Sequence, residues 1–292
     1  MNGEAPISFD AVLPPGMAVK AEEIGIKKAQ LGALDMFLLA ILAGAFIGLG
    51  AIFCTTVLAG SSALPYGVAR LLGGLVFTLG LILVVVAGAE LFTGNNLIIM
   101  AFASRRISLM ALLRNWVIVY TGNFVGSVMT AGLMYFTKQY TFGSGAVGLT
   151  ALNIGNAKCG LDFVQALALG IMCNALVCMA VWLCYSARTT TDKILSIIPP
   201  IAAFVAAGFE HSIANMYFIP MALFIKAGAG QSFWDSIQKT AADFSNLTWG
   251  NFFIANLVPV TIGNILGGAV MVGLVYWFVY RRHVLQNTNG QK

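Results

Sequence analysis

Six apolar runs decide what this chain can become. Met36–Leu58, Leu112–Phe136, Phe163–Tyr185 and Phe252–Tyr280 each supply the roughly 20 mostly apolar residues that a membrane-crossing helix needs. Leu71–Ala103 and Ile194–Phe224 are longer and differ in kind, because Gly, Glu and Asn interrupt both near the middle. The pattern predicts an all-α membrane protein of six transmembrane helices with spans two and five broken. Composition agrees: 59% of residues are hydrophobic and 9% charged, against about 25% charged in soluble domains. The chain divides into an N-terminal segment 1–33, one transmembrane domain 34–285 and a tail 286–292. The stretch Met17–Gly32 is expected to form a surface helix with a weak apolar face. No early basic patch and apolar core mark residues 1–33 as a cleavable signal.

The net charge of +5 does not point to nucleic acid, because the basic residues lie between apolar runs and not in one patch. Eleven of the 16 fall in the N-terminal segment, in the loops holding Arg105–Arg114 and Arg188–Lys193, and in the C-terminal stretch from Arg281 onward. Basic residues accumulate on the cytoplasmic side, so both termini are expected there, as an even number of spans requires. Trp116, Trp182 and Trp277 near span ends fit an interfacial belt. The five cysteines show no metal or redox spacing and read as small buried hydrophobes.

The chain also repeats itself. Ala87-Gly-Ala-Glu-Leu-Phe-Thr-Gly-Asn95 aligns with Ala207-Gly-Phe-Glu-His-Ser-Ile-Ala-Asn215, and Asn115–Gly126 aligns with Asn256–Gly267 with Asn, Val, Val, Gly, Asn and Gly in register. The halves, about 34–136 and 163–280, each hold three spans. Three is odd, so the second half enters the membrane from the opposite side and a 3+3 inverted repeat results. Proteins of this kind place their site near the midplane, at discontinuous helices in matching positions of the halves.

Few polar groups are available there. Glu90 and Glu210 are the only acidic residues inside the apolar runs, and they are repeat partners. An unwound helix segment frees backbone N–H groups, so these carboxylates, with Asn95 and Asn215, are expected to brace the breaks. His211 is the one intramembrane ionisable residue without an ionisable repeat partner, which marks it as functional. Thr93 lies in the first break, where its hydroxyl either bonds a solute or His211 or is an ordinary helix-end hydroxyl bonded to backbone. Lys158, in the longest outer loop of the first half, is either an anion-attracting group or an ordinary surface lysine. Asn174 in span four is either pore-lining or interhelical glue. Gly44, Gly48 and Gly50, with Gly122 and Gly126, permit close helix approach. One membrane histidine with no ligand or nucleophile partner predicts no enzyme, no metal and no cofactor.

Gly88-Ala-Glu-Leu-Phe-Thr93 and Gly208-Phe-Glu-His-Ser-Ile-Ala-Asn-Met-Tyr-Phe-Ile-Pro220 resemble the two motifs of the formate/nitrite transporter family, with Pro259-Val-Thr-Ile-Gly-Asn264 as further support. The resemblance covers nearly the whole chain and lies nearest the bacterial formate channels. It implies an aquaporin-like protomer, a homopentamer with one pore per protomer, residence in the bacterial inner membrane, and a gating segment at the break in span two. It also implies His211 and Thr93 facing each other, apolar constrictions at Phe77, Leu81 and Leu91 on one half and Phe204 on the other, a vestibule lysine at Lys158 and a pore asparagine at Asn174. The expected solute is formate or a similar small monovalent anion, moved passively and under pH control, with His211 assisting its protonation. Nitrite or hydrosulfide transport, or a proton-coupled carrier, are the alternatives, and a cytoplasmic partner for the N-terminus is a further expectation.

Overall fold

In the computed structural model, which describes residues 10–283, helices fill nearly the whole chain. The first, α1 (Pro14–Gln30), begins with prolines in its first turn, where a missing N–H costs nothing. Long helices follow: α2 (Ala33–Leu58), α3 (Tyr66–Ala87), a short α4 (Phe92–Ala103) and α5 (Leu109–Phe136). Then come α6 (Ala146–Cys159), α7 (Phe163–Ser186), α8 (Thr190–Ala207), α9 (Ser212–Gly228), α10 (Gln231–Ile237) and a last helical stretch, α11 (Ala241–Tyr280). Among the described residues, α2, α3, α5, α7, α8 and α11 are long and apolar enough to cross a membrane. The tail 286–292 lies outside the described residues.

Local chemistry sets the boundaries. Ser108 Oγ accepts the Ala111 N–H at the start of α5, Asp162 does the same for Gln165 at α7, and Thr189 with Asp192 closes a capping box on α8. Both interrupted runs stop at a glycine: Gly88 ends α3 at φ +85° and Gly208 ends α8 at φ +78°. A side chain at either position would be strained, because left-handed backbone crowds a Cβ. The chain then runs extended for three residues before α4 and α9 begin.

Packing repeats between the halves. Helix α2 lies against α3 and α5, and α7 lies against α8 and α11, while α3 and α8 join the halves. Glycines make the close approaches. Gly126 faces the Ile41 carbonyl and Gly267 faces the Ile171 carbonyl, at separations where no Cβ fits. Gly122 and Gly263 repeat this against Phe37 and Leu167. With lipid tails as apolar as leucine, such backbone contact is a main source of helix cohesion in a bilayer.

Two segments differ from the sequence expectation. The long outer loop of the first half contains a helix, α6, and Lys158 sits in its last turn. Its small residues, Gly148, Ala151 and Gly155, obscure the apolar periodicity but let it dock against Phe233 and Ala222. The N-terminal helix begins earlier than expected and is no loose surface element. Met17, Ala18, Ala21 and Ala29 are buried, and Glu22, 2% exposed, pairs with Arg281 at 2.8 Å and with Arg106 at 3.5 Å.

Candidate functional site

Each break is held by one asparagine from a neighbouring helix. In the first, Phe92 N–H donates to Asn123 Oδ1 at 2.9 Å, and Asn123 Nδ2 donates to the carbonyls of Ala40 and Glu90. In the second, Ser212 N–H donates to Asn264 Oδ1 at 2.9 Å, and Asn264 Nδ2 donates to the carbonyls of Gly170 and Glu210. Glu90 N–H and Glu210 N–H reach the carbonyls of Leu39 and Leu169, both at 3.3 Å. These bonds pair the N–H of Glu90, Phe92, Glu210 and Ser212 and the carbonyls of Glu90 and Glu210, as backbone away from water requires.

The carboxylates are held in matching cradles. Lys28 Nζ lies 2.6 Å from Glu90 Oε1, and Asn95 Nδ2 donates to Glu90 Oε2 at 2.7 Å and to Asn115 Oδ1. Lys158 Nζ lies 2.7 Å from Glu210 Oε1, and Asn215 Nδ2 donates to Glu210 Oε2 at 2.7 Å and to Asn256 Oδ1. Asn115 and Asn256 also donate to the main-chain carbonyls of Lys28 and Lys158. Glu90, Glu210, Asn95 and Asn215 sit at the breaks, but the two carboxylates accept from lysine and asparagine side chains, while the N–H groups of Phe92 and Ser212 go to Asn123 and Asn264. Lys158 is an ion-pair partner of Glu210 and also lines a cavity. Lys28 was missed. Its signal is Ile24-Gly-Ile-Lys-Lys28 beside Ile154-Gly-Asn-Ala-Lys158, a third repeat match lying outside the halves 34–136 and 163–280. Asn115, Asn123, Asn256 and Asn264 stood in the aligned segments without a role.

Between the breaks, His211 Nε2 lies 3.0 Å from Thr93 Oγ1, both buried. His211 is also the N-cap of α9: its Nδ1 accepts the Ala214 N–H at 3.1 Å. An Nδ1 that accepts carries no proton, so the neutral ring holds its hydrogen on Nε2 and donates to Thr93. The ring stacks near-parallel to Phe204 with centroids 5.9 Å apart, and Phe204 meets Phe77 edge-on. Asn174 lines neither cavity described below. Its Nδ2 donates to the carbonyls of Thr93 and Asn264 and to Asn96 Oδ1, bonds that tie α7 to α4 and α11, while its buried Oδ1 has no hydrogen-bond partner among the described residues.

Two cavities approach this pair from opposite sides. One, of about 310 Å³, is lined by Lys20, Lys28, Glu90 and Lys193 and closed by Leu81 and Leu91. The other, of about 560 Å³, is lined by Arg70, Lys158 and Glu210 and closed by Phe77, Phe204 and His211. No residue lines both. Phe77, on one cavity, and Leu81, on the other, are one turn apart on α3, a rise of about 6 Å along the helix. Polar mouths leading to a short apolar neck with one hydrogen-bonding pair suit a small polar solute that loses most of its water briefly.

The profile described as "Formate/nitrite transporter" matches residues 15–278. The chain belongs to the formate/nitrite transporter family. As a member of it, with six helices long and apolar enough to span, it is a multi-pass membrane protein. Among similar proteins of this family, the formate channel FocA of Escherichia coli K12 is 47% identical over 274 residues, covering 94% of this chain and 96% of that one. The FocA of Haemophilus influenzae is 40% identical, covering 95% and 98%. A solved pentameric formate channel with formate bound is 50% identical and superposes with a TM-score of 0.82, covering 85% of this chain and 97% of that one. An FNT family ion channel at 30% identity gives 0.76, covering 90% and 98%. These relatives carry the names of channels and transporters, not of enzymes.

Proposed function

We propose that the chain is a passive formate channel of the bacterial inner membrane, with both termini cytoplasmic and one pathway in each protomer of a homopentamer. The observation that carries this is the buried Thr93–His211 contact between two separate cavities, one lined by His211 and the other by Leu91 and Gly94 on either side of Thr93 in the chain, in a family member closely similar to formate channels. The matched cradles support an inverted 3+3 repeat. The cavity beside α1 then opens to the cytoplasm and the cavity beside α6 to the outside.

Formate is a compact carboxylate, and bare charge does not cross an apolar neck cheaply. The Nε2–H of neutral His211, relayed through the Thr93 hydroxyl, gives the anion a donor where it sheds water. On acidification the ring takes a second proton on Nδ1 and gives up the Ala214 N–H. The imidazolium then passes its Nε2 proton to a formate oxygen: the N–H bond breaks, the O–H bond forms, and formic acid leaves a neutral ring. Flux is therefore set by pH through His211.

The test is formate flux into proteoliposomes from pH 7.5 to 5, for the wild type beside His211→Asn. Asparagine still accepts the Ala214 N–H as an N-cap but does not titrate. A steep pH dependence in the wild type and a flat profile in the variant are expected. Equal profiles overturn the role of His211. Nitrite or hydrosulfide flux without formate flux overturns the solute, and an absence of resolvable single-channel steps makes the protein a carrier.

A further inference from the structure

The two mouths are unequal in charge. The cavity beside α1 has three lysines, Lys20, Lys28 and Lys193, against one carboxylate, Glu90. Lys28 is paired with that carboxylate. Lys20 and Lys193 form no ion pair with a carboxylate among the described residues. Lys20 donates to the Tyr185 carbonyl at 2.9 Å, which leaves two of its three N–H groups unassigned. Burial, then the neighbouring charges of Lys193 and Arg188, hold its ammonium below the ordinary lysine value. At the other mouth the corresponding charges are engaged: Arg70 donates to the carbonyls of Val205 and Ala206, and Lys158 is paired with Glu210.

Like charges drawn together around a partly enclosed space favour an anion between them, because each lysine is relieved of the other's repulsion. We infer that Lys20 and Lys193 form an anion-holding antechamber on the α1 side of the protein, a binding site for one small carboxylate distinct from the Thr93–His211 pair. It rests on the reading of the protein as an anion pathway and adds a direction to it. Solute arriving from the α1 side is collected before the neck, whereas solute from the opposite side meets no such pair. Half-saturation is reached at lower concentration from the α1 side.

The probe is formate itself, with Lys20→Gln/Lys193→Gln beside Lys20→Arg/Lys193→Arg. Glutamine keeps an N–H for the Tyr185 carbonyl and removes the charge. Flux into oriented vesicles is measured from each face, and binding to the purified protein by saturation-transfer NMR of the formate proton, which requires no flux. The glutamine pair is expected to raise the half-saturating concentration from the α1 face about 3- to 10-fold at low salt, within the range that local fields give. Maximal flux and the opposite face stay as in the wild type, the arginine pair behaves as wild type, and about 0.5 M salt removes the difference. Formate binding that depends on the two lysines in a protein without formate flux keeps the antechamber and overturns the channel reading. Flux and binding unchanged by the glutamine pair overturn the antechamber and leave the channel reading standing.

Discussion

The two helix breaks are built to one plan and finished differently. At the first, Lys28 reaches both Glu90 Oε1 and Asn95 Oδ1, so the asparagine is satisfied at both ends. The helix that follows is short and tightens into a 3₁₀ turn at Asn96–Ile98. At the second, Lys158 donates to the carboxylate, Asn256 adds a bond to Glu210 Oε2, and Asn215 Oδ1 has no hydrogen-bond partner among the described residues. The helix that follows is regular over Ser212–Gly228, and its N-cap is His211 where the first break has Leu91. The repeated parts are thus those that support backbone in an apolar medium. The parts that differ are those proposed to meet the solute. Symmetry separates scaffold from chemistry here.

The largest test of that comparison removes the carboxylates. Glu210→Ala leaves Lys158, whose side chain is 16% exposed, without a counter-charge, and a stability loss of about 3 kcal/mol is expected. Glu90→Ala leaves Lys28, 27% exposed and better able to turn to water, and should lose less. Thermal unfolding of the detergent-solubilised protein ranks the two; the reverse order breaks the account of how each cradle is sealed.

A smaller effect is expected from the asparagines that hold the breaks. Asn123→Ala and Asn264→Ala each remove three hydrogen bonds and should each cost about 2 kcal/mol. Near-equal losses support a shared scaffold, while a large difference shows that one break is held by something else. Gly88→Ala and Gly208→Ala, both in left-handed backbone, should each lower stability by about 1 kcal/mol. Thr93→Ser keeps the hydroxyl facing His211 and should change formate flux by no more than about twofold, whereas Thr93→Val leaves the Nε2–H without its 3.0 Å partner and should reduce flux about tenfold.

The sequence disclosed the spans because lipid imposes a blunt rule on composition. The run expected at Met36–Leu58 is Ala33–Leu58, and that expected at Phe163–Tyr185 is Phe163–Ser186. Both breaks are legible for the same reason, since Gly, Glu and Asn interrupt apolar runs. The cradles were half legible: Glu90 and Glu210 stand out, but their lysines lie on α1 and α6, outside the long runs. These helices are rich in small residues and weakly amphipathic, so composition and periodicity pass over them. Asn174 shows the opposite limit. A lone polar residue in a span announces that it needs partners, and only the fold shows that its amide N–H groups reach the carbonyls of Thr93 and Asn264.

The cap on α9 has a chemical consequence for selection. His211 Nδ1 is held by the Ala214 N–H, Thr93 Oγ1 faces Nε2–H, and the Thr93 carbonyl is taken by Asn174 and Cys178, so most acceptors of the Thr93–His211 pair are already engaged. A solute rich in N–H groups, such as ammonium or a protonated amine, finds few acceptors on this pair to replace its lost water. One that brings lone pairs of its own finds a waiting hydrogen. In the proposed pathway the neck would sort solutes by the direction of the hydrogen bonds they form, a criterion that holds for neutral molecules as well as ions.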